Sequence, residues 1–216
     1  MPSRSPKSST LGRPANPEAR AMRREQILRG ARACFRRKGF HAASTAEISA
    51  EAGVSVANLY QYFPTKDHLI KALIEEDLTS DLDLVGMVEA AGSFRRGLEM
   101  TTQLVLADPA MTDDGLLRLE VLAEASRNPE IAAVVREADD HLVAALGALI
   151  VRYQNSGEIH PEINAADAAR LIVSLYDGLI GRLAFGAAAE TELVAAADSF
   201  IVRALAAVRA VPDPDM

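Results

Sequence analysis

The chain has 216 residues, of which 49% are apolar and 25% are charged, and its formal net charge is −7. Its single cysteine, Cys34, excludes an intrachain disulfide and a cysteine-only metal site. No run of about 18 apolar residues could span a bilayer, and no apolar segment resembles a secretion signal, so we expect a cytoplasmic protein without a membrane partner.

The charges are segregated along the chain. Residues 1–71 hold 13 Lys and Arg against 5 Asp and Glu, a net charge of +8, whereas residues 72–216 hold 10 against 25, a net charge of −15. A polyanion repels an acidic protein unless the positive charge of that protein is concentrated in one region. The distribution therefore predicts that only the N-terminal part contacts nucleic acid, although a run of charges also occurs on a solvated helix face.

The N-terminal segment and the first helix carry most of this positive charge. Residues 1–18 are basic, rich in Ser and Pro and poor in large apolar side chains, which predicts a disordered arm that either reaches a DNA minor groove or is dispensable. A helix is predicted from about 20 to 38, where apolar residues repeat at helical spacing and Gly39 follows. This apolar stripe consists of Ile27, Leu28, Ala31, Cys34 and Phe35.

Residues 44–66 predict two short helices joined by a tight turn. Ser44 and Glu47 have the spacing of a capping box, in which each side chain satisfies a backbone N–H group at the start of a helix. Gly53 provides the permissive backbone of the turn, and Ser55 is a suitable N-cap for the second helix. Pro64 prevents that helix from continuing.

The second of these short helices has an inner and an outer face. Leu59 and Phe63 are four residues apart and face inward, which leaves short, polar and aromatic side chains outside. These outer residues are Val56, Ala57, Tyr60 and Gln61. The pattern is typical of a helix-turn-helix whose second helix enters the major groove of DNA, and an ordinary amphipathic hairpin is the alternative.

The run AEISAEAGVSVANLYQYFPTKDHL, at 46–69, resembles the DNA-binding signature of the TetR family of bacterial transcriptional regulators. With the preceding helix the resemblance covers residues 20–72, and its one departure is Ser49 in place of the usual alanine. The resemblance implies that DNA phosphates are contacted by Thr45, Tyr60, Tyr62 and Lys66. It places base readout at Val56, Ala57 and Gln61, with Ala46 and Asn58 beside them, and the predicted DNA-binding set also includes Ser44 and Ser55. The rings of Tyr60 and Tyr62 could instead pack the small domain.

The remaining sequence predicts further helices and no strand alternation. They are expected near 66–85, 93–107, 113–127, 129–155, 165–187 and 190–209, with breaks at Asp-Pro, Asn-Pro, His-Pro and Asn-Ser-Gly sequences. The prediction is an all-α fold of about nine helices. A three-helix DNA-binding domain is expected at 19–72, a ligand-binding and dimerisation domain at 73–210, and a short tail at 211–216.

The last two predicted helices have more apolar faces than one domain needs. Gly178 and Gly181 remove bulk where another helix could approach. The resemblance implies that these helices form a four-helix bundle with those of a second subunit, which makes the protein a homodimer, and burial within one subunit is the alternative. The predicted interface consists of Leu171, Ser174, Leu175, Gly178, Leu179, Arg182, Phe185, Phe200 and Ala204.

No catalytic set or cofactor motif is evident in the sequence. The four histidines are scattered, and neither a Gly-rich phosphate loop nor a nucleophile elbow occurs. Asp139, Asp140 and His141 are consecutive on a helix and point in different directions, which favours a solvated run over a metal site. We therefore expect neither an enzyme nor a bound metal or cofactor.

The predicted function is transcriptional repression at a palindromic double-stranded DNA operator. Release by a small-molecule effector is implied by the resemblance. The candidate ligand-binding residues, each of which could also be ordinary core, are Phe94, Met100, Leu104, Met111, Leu119, Leu122, Tyr153 and Tyr176. The alternatives are a DNA-binding regulator without a small-molecule inducer, either architectural or protein-responsive, and an enzyme with an appended DNA-binding head.

Overall fold

The computed structural model describes residues 16–107, 109–183 and 188–206. Within these ranges the chain forms nine α-helices and no β-strand, which confirms the predicted all-α fold. The helices are α1 (Pro17–Ala42), α2 (Thr45–Glu51), α3 (Val56–Tyr62), α4 (Lys66–Ala90), α5 (Phe94–Ala107), α6 (Pro109–Ala125), α7 (Pro129–Asn155), α8 (Ala165–Leu183) and α9 (Ala188–Leu205). None of the described helices is long and apolar enough to cross a lipid bilayer.

The first helix starts earlier and ends later than the sequence predicts. The Oδ1 atom of Asn16 accepts the backbone N–H of Glu18 at 3.0 Å, and Pro17 is tolerated in the first turn. Gly39 has φ 75° and ψ 168°, which interrupts the helix, but helical residues continue to Ala42. Because this pair of dihedral angles is almost restricted to glycine, Gly39 fixes a bend shortly before α2.

The later helices follow the prediction except at their ends. α4 extends to Ala90 instead of 85, and two predicted breaks, Asp108-Pro109 and Asn128-Pro129, lie at the starts of α6 and α7. Proline is favoured in the first turn of a helix because its missing N–H group has no helical partner there. The predicted helix ends at 187 and 209, the tail, and all but the last three residues of the predicted arm lie outside the described residues.

Helices α1–α3, called the head below, share one apolar cluster with the first half of α4. Its largest fully buried side chains are Ile27, Leu28, Phe35, Phe40, Ile48, Leu59, Leu69, Ile70 and Leu73. The cluster also contains Leu117 and Val121 of α6 and Ile131 of α7. Helix α1 of the head packs directly on α6 and on α4.

Helices α4–α9 are called the body below. Its apolar cluster is formed by residues of α4, α5, α7, α8 and α9. α4 and α8 both pack on α7, and α5 packs on α9. At the centre, the rings of Phe94 and Tyr153 meet edge to face with their centroids 5.7 Å apart. This arrangement leaves a cavity between the helices, which forms one of the two candidate sites.

Candidate DNA-binding surface and ligand cavity

Local hydrogen bonds build the two short helices of the head. At the start of α2, Ser44 Oγ accepts the N–H of Glu47 at 3.3 Å and Glu47 Oε2 accepts the N–H of Ser44 at 3.0 Å, which confirms the predicted capping box. Gly53 has φ 63° in the turn, and Ser55 Oγ accepts the N–H of Asn58 at 3.1 Å at the start of α3. Each hydrogen bond joins residues three apart, so the local sequence is sufficient to specify it.

Helix α1 holds the turn between α2 and α3. Gln26 Nε2 donates to the carbonyl oxygen of Ala52 at 2.6 Å. A Cβ atom added at Gly30 would lie 2.8 Å from the Cβ of Ala52, so this glycine permits the close approach of α1 to the turn. Ile48 and Leu59 are fully buried in the same cluster as α1, which leaves the opposite face of α3 pointing outward.

The residues predicted to read bases lie together on the outer face of α3. Val56 is 39% exposed, Ala57 and Gln61 are exposed, and Asn58 is half-buried. Asn58 Nδ2 donates to Gln61 Oε1 at 3.2 Å, which holds the Gln61 amide in one position. Ala46 is also exposed, on α2.

The hydroxyl groups predicted to contact phosphates occupy two places on the head. Thr45 Oγ1 lies 3.3 Å from the Tyr60 hydroxyl, and Tyr60 is 46% exposed, so the pair bridges α2 and α3 at the surface. Tyr62 is half-buried, and the guanidinium carbon of Arg20 lies 5.8 Å from the centroid of its ring. Arg20 and Arg23 line an exposed groove with Tyr62, so the N-terminal end of α1 brings positive charge beside α3.

Lys66 makes contacts that the sequence did not reveal. Its ammonium group donates to the carbonyl oxygen of Phe40 and lies 3.4 Å from the carbonyl oxygens of His41 and Ala43. These carbonyls belong to the end of α1 and the link to α2, where helical partners are missing. Lys66 therefore stabilises the head from within, and its predicted phosphate contact stays a prediction.

The charge on Glu47 is stabilised by its neighbours at the start of α2. Lys38 Nζ lies 2.5 Å from Glu47 Oε1, and the backbone and hydroxyl groups of Ser44 both donate to Glu47 Oε2. The hydrogen bond from Lys38, followed by those from Ser44, lowers the pKa of Glu47 to about 2. The capping carboxylate is therefore ionised at any physiological pH.

The second candidate site is an apolar cavity inside the body. It holds about 830 Å³ of space, part of it open to solvent, and residues of α4 to α9 line it. Most of the wall is aliphatic and consists of Leu84, Val85, Val88, Leu98, Val105, Leu142, Leu146, Ile172, Val173 and Val194. This size and lining suit a small molecule that is largely apolar.

A half-buried charge cluster lies in the wall of the cavity. Arg118 Nη1 lies 3.0 Å from Asp81 Oδ2, and Arg118 Nε lies 2.5 Å from Asp177 Oδ1. Burial by itself lowers the pKa of Arg118, but the two carboxylates outweigh that effect and raise the pKa above its ordinary value. Burial raises the pKa of Asp177. The cluster joins α4, α6 and α8 by charged groups within an otherwise apolar wall.

A second polar cluster contains Tyr176, Thr102 and Asp198. The Tyr176 hydroxyl donates to Asp198 Oδ1, which also accepts the Thr102 hydroxyl at 3.0 Å. Burial, first among the causes, raises the pKa of both Tyr176 and Asp198. Because Tyr176 and Thr102 line the cavity, this cluster places two hydroxyl groups in its wall.

The predicted ligand-binding residues are scattered through the body. Tyr176 lines the cavity, and Leu122 lines a smaller pocket on the other side of Arg118. Phe94 and Tyr153 are buried in the adjacent core, where the Tyr153 hydroxyl donates to the carbonyl oxygen of Val88 at 3.0 Å. Met100 and Leu104 are exposed and Leu119 is half-buried, while the side chain of Met111 lies outside the described residues.

The sequence alone did not predict the polar groups of the cavity. Asp81, Arg118 and Asp177 belong to three helices, so no local spacing joins them. An isolated charge in an apolar helix could have indicated these groups. Asp177 lies in LIVSLYDGLI, and Asp198 follows LVAAA. A charged residue in such a position is expected to have a buried partner elsewhere in the fold.

The predicted dimer interface is largely exposed in the single chain. Leu171 is 72% and Phe200 is 68% exposed, and both line a shallow groove between α8 and α9 with Leu175 and Ala204. Ser174, Gly178 and Arg182 are also exposed, and Leu175 is half-buried. Leu179 is instead buried against Val194 and Ala197 of the same chain, and Phe185 lies outside the described residues.

A positively charged helix-turn-helix head on a helical body with an internal cavity defines a DNA-binding regulator with its own regulatory domain. The family described as bacterial regulatory proteins, tetR family, matches residues 27–73, and the C-terminal domain of BetI-type transcriptional repressors matches residues 94–206. The chain belongs to the TetR family. It is a DNA-binding transcriptional repressor and not an enzyme.

Individual relatives agree with this assignment. The regulator UidR of Escherichia coli K12 is 30% identical over 73% of this chain and 79% of its own length. The repressor AcnR of Corynebacterium efficiens is 27% identical over 77% of this chain and 85% of its own. The structure of Salmonella enterica GusR has a TM-score of 0.71 at 26% identity and covers 90% of this chain and 100% of its own. Regulators of the TetR family bind DNA and small-molecule ligands and form dimers.

Proposed function

We propose that two copies of this chain repress transcription from a palindromic operator and that a largely apolar small molecule in the body cavity releases them. The observation that carries the proposal is the outer face of α3, where Val56, Tyr60 and Gln61 are exposed on a head with positive charge beside them. Exposed short and polar side chains on the second helix of a helix-turn-helix are suited to contacts with base edges in the major groove. The cavity in the same chain supplies a place for an effector.

Base readout is assigned mainly to Gln61, with Val56 and Ala57 at its side. The amide of glutamine can bond to N6 and N7 of adenine together. The hydrogen bond from Asn58 leaves a lone pair on Gln61 Oε1, so this oxygen can accept from N6 while Nε2 donates to N7. Phosphate contacts are assigned to Thr45, Tyr60, Tyr62 and Lys66, and Ala46 lies beside the readout surface.

The palindrome follows from the dimer. A two-fold axis between subunits presents two α3 helices to DNA, so the half-sites must be inverted and about one helical turn or more apart. The groove around Leu171 and Phe200 is the proposed subunit contact, since side chains of this size are seldom left so exposed next to one another.

The effector is proposed to act by population shift. A ligand releases DNA only if it binds better to a conformation in which the two heads no longer match the operator. The aliphatic wall selects a largely apolar molecule, and Arg118, Thr102 and Tyr176 provide polar contacts that fix its orientation.

The DNA part of the proposal is tested by binding-site selection from random sequences with the purified full-length protein. We expect an inverted repeat. The Gln61→Ala variant should lose its preference at one base position in each half-site, at a cost of about 1–3 kcal/mol, and keep the rest of the motif. Gln103→Ala, which changes an exposed glutamine of α5, is the matched control. A motif without inverted symmetry, or an unaltered motif with Gln61→Ala, would contradict the assignment.

The effector part is tested separately with the selected DNA. Apolar small molecules that raise the melting temperature of the protein should also release it from the selected site, because both effects come from one bound state. If compounds bind the cavity without changing the DNA affinity, the protein is a regulator without a small-molecule inducer.

A further inference from the structure

Helix α6 has one face on the cavity and another on the end of α1. Arg118 lines the cavity, whereas Glu120 and Glu124 contact the segment 39–43, called the junction below, which ends α1 and leads into α2. Residues two apart on a helix point about 200° apart, and residues four apart share a face. A movement of α6 that alters its cavity face therefore also displaces the two glutamates.

Glu120 is bonded to the backbone of the junction. Its Oε2 atom accepts the N–H of Phe40 at 3.2 Å, a contact between residues 80 apart in the chain. A Cβ atom added at Gly39 would lie 3.0 Å from Oε2 and 3.2 Å from Oε1 of Glu120. The glycine thus allows the carboxylate to lie directly against the bend in the backbone.

Two further groups hold the same junction. Glu124 is 8% exposed, and its Oε2 atom lies 3.0 Å from Nε2 of His41 without the alignment of a hydrogen bond. From the other side, Lys66 of α4 bonds to the carbonyl oxygens of Phe40, His41 and Ala43. Side chains of both α6 and α4 therefore contact the junction. Ser44, the N-cap of α2, is the next residue in the chain.

From this geometry we infer that Glu120 is a positioning residue for DNA binding, which sets the orientation of the helix-turn-helix through the Phe40 amide and links it to the cavity face of α6. Glu120 does not contact DNA or the effector. The link to the cavity rests on the proposed function, whereas the effect of Glu120 on DNA affinity depends only on the contact with the junction.

The first experiment compares Glu120→Ala with Glu120→Gln in the full-length protein. The glutamine keeps an oxygen that can accept the Phe40 N–H, so DNA affinity at the selected site should stay near that of the wild type. The alanine should weaken DNA binding by roughly 3- to 30-fold, the range expected for a coupling residue without ligand contacts. Amide hydrogen exchange at Phe40 should accelerate in Glu120→Ala alone.

The matched control is Glu137→Ala, which removes an exposed glutamate from α7. It should leave both the DNA affinity and the exchange at Phe40 unchanged. Equal DNA affinities for Glu120→Ala and the wild type, or equal losses for the alanine and glutamine variants, would overturn the inference. A loss of affinity that accompanies general unfolding is recognised from the melting temperature and from exchange in the α7 and α8 amides.

The link to the cavity is tested with Val173→Phe, which places a bulky apolar group in the cavity as a substitute for a ligand. We expect it to weaken operator binding in the wild-type and Glu137→Ala backgrounds, and to weaken it by a clearly smaller factor in Glu120→Ala. Equal factors in all backgrounds would overturn the link through Glu120. If Val173→Phe has no effect in any background, the cavity does not control DNA binding and the proposed function fails. The DNA affinities of Glu120→Ala and Glu120→Gln still decide whether Glu120 is a positioning residue.

Discussion

The head and the body of this protein differ in where their polar side chains lie. In the head, Ser49 is the one buried polar residue among those described, and the side chains that we propose to read bases are exposed or half-buried. In the body, Thr101, Thr102, Glu124 and Asp198 are buried, and Arg118 holds two aspartates together between three helices. The head thus has an apolar core and a polar exterior, whereas the body contains polar groups around a cavity.

This difference corresponds to two kinds of task. A DNA-reading surface must keep one shape. An apolar core, together with the helix N-caps Ser44 and Ser55, provides that rigidity. A domain that responds to a ligand needs at least two arrangements of similar free energy. Partly desolvated charge pairs and unfilled space reduce the free-energy advantage of any single arrangement, because the attraction within such a pair is offset by the cost of its desolvation.

The largest effect on DNA binding is expected at the groove between α8 and α9, which we propose as the dimer interface. Phe200→Asp places a charge in the exposed apolar groove of α8 and α9, where a second subunit would bury it. Sedimentation should show monomers, circular dichroism should show near-native helicity, and binding to the selected operator should fall by more than about 100-fold. Phe200 is preferable to the half-buried Leu175, whose replacement would also damage the core of the single chain. A dimeric Phe200→Asp protein would place the interface elsewhere.

The charge cluster of the body provides the next prediction. Arg118→Met leaves the half-buried Asp81 and Asp177 without their cation, which should lower the free energy of unfolding by about 1–3 kcal/mol. Addition of Asp81→Asn and Asp177→Asn should restore most of the loss, since neither position then carries a charge without a partner. Chemical denaturation measures both values. Arg136→Met, on an exposed part of α7, is the control, and an equal midpoint for the two single variants would refute this account.

Lys66, the first residue of α4, tests whether one side chain can both stabilise the junction and contact DNA. Lys66→Met removes the bonds to the carbonyl groups of the junction and should lower the free energy of unfolding by about 1–2 kcal/mol. If Lys66 also neutralises a phosphate, the slope of log K against log salt should decrease by about one unit. A stability loss with an unchanged slope would leave Lys66 a purely structural residue.

The smallest effect concerns Glu47, whose pKa is lowered to about 2 by Lys38 and Ser44. A folded-state pKa below the ordinary value of 4.5 stabilises the fold above that value, and the stabilisation is lost as the pH falls toward 2. NMR titration of the side-chain carboxyl carbons measures this directly. Lys38→Gln should raise the pKa of Glu47. Arg37→Gln should instead raise the pKa of Glu51, with which Arg37 pairs at 2.7 Å. The same shift of Glu47 in both variants would contradict the assignment to Lys38.

The two regions also differ in how far their sequences predicted them. The capping box at Ser44, the turn at Gly53 and the outward face of α3 were predictable because each depends on residues three or four apart. The helices of the body were predicted from proline and glycine positions, with errors at ends such as Ala90. The cavity was not predicted, because its wall combines positions from α4 to α9, and Asp81 meets Arg118 only after the chain folds.

The exposed pair of Leu171 and Phe200 has a consequence for the amount of protein that a cell must make. If a single chain cannot occupy the operator, occupancy at low expression rises with the square of the chain concentration, because two copies must first associate. Transcription of the regulated gene would then respond to this protein as a threshold and not in proportion. The affinity across the groove of α8 and α9 would set the expression level at which that threshold falls.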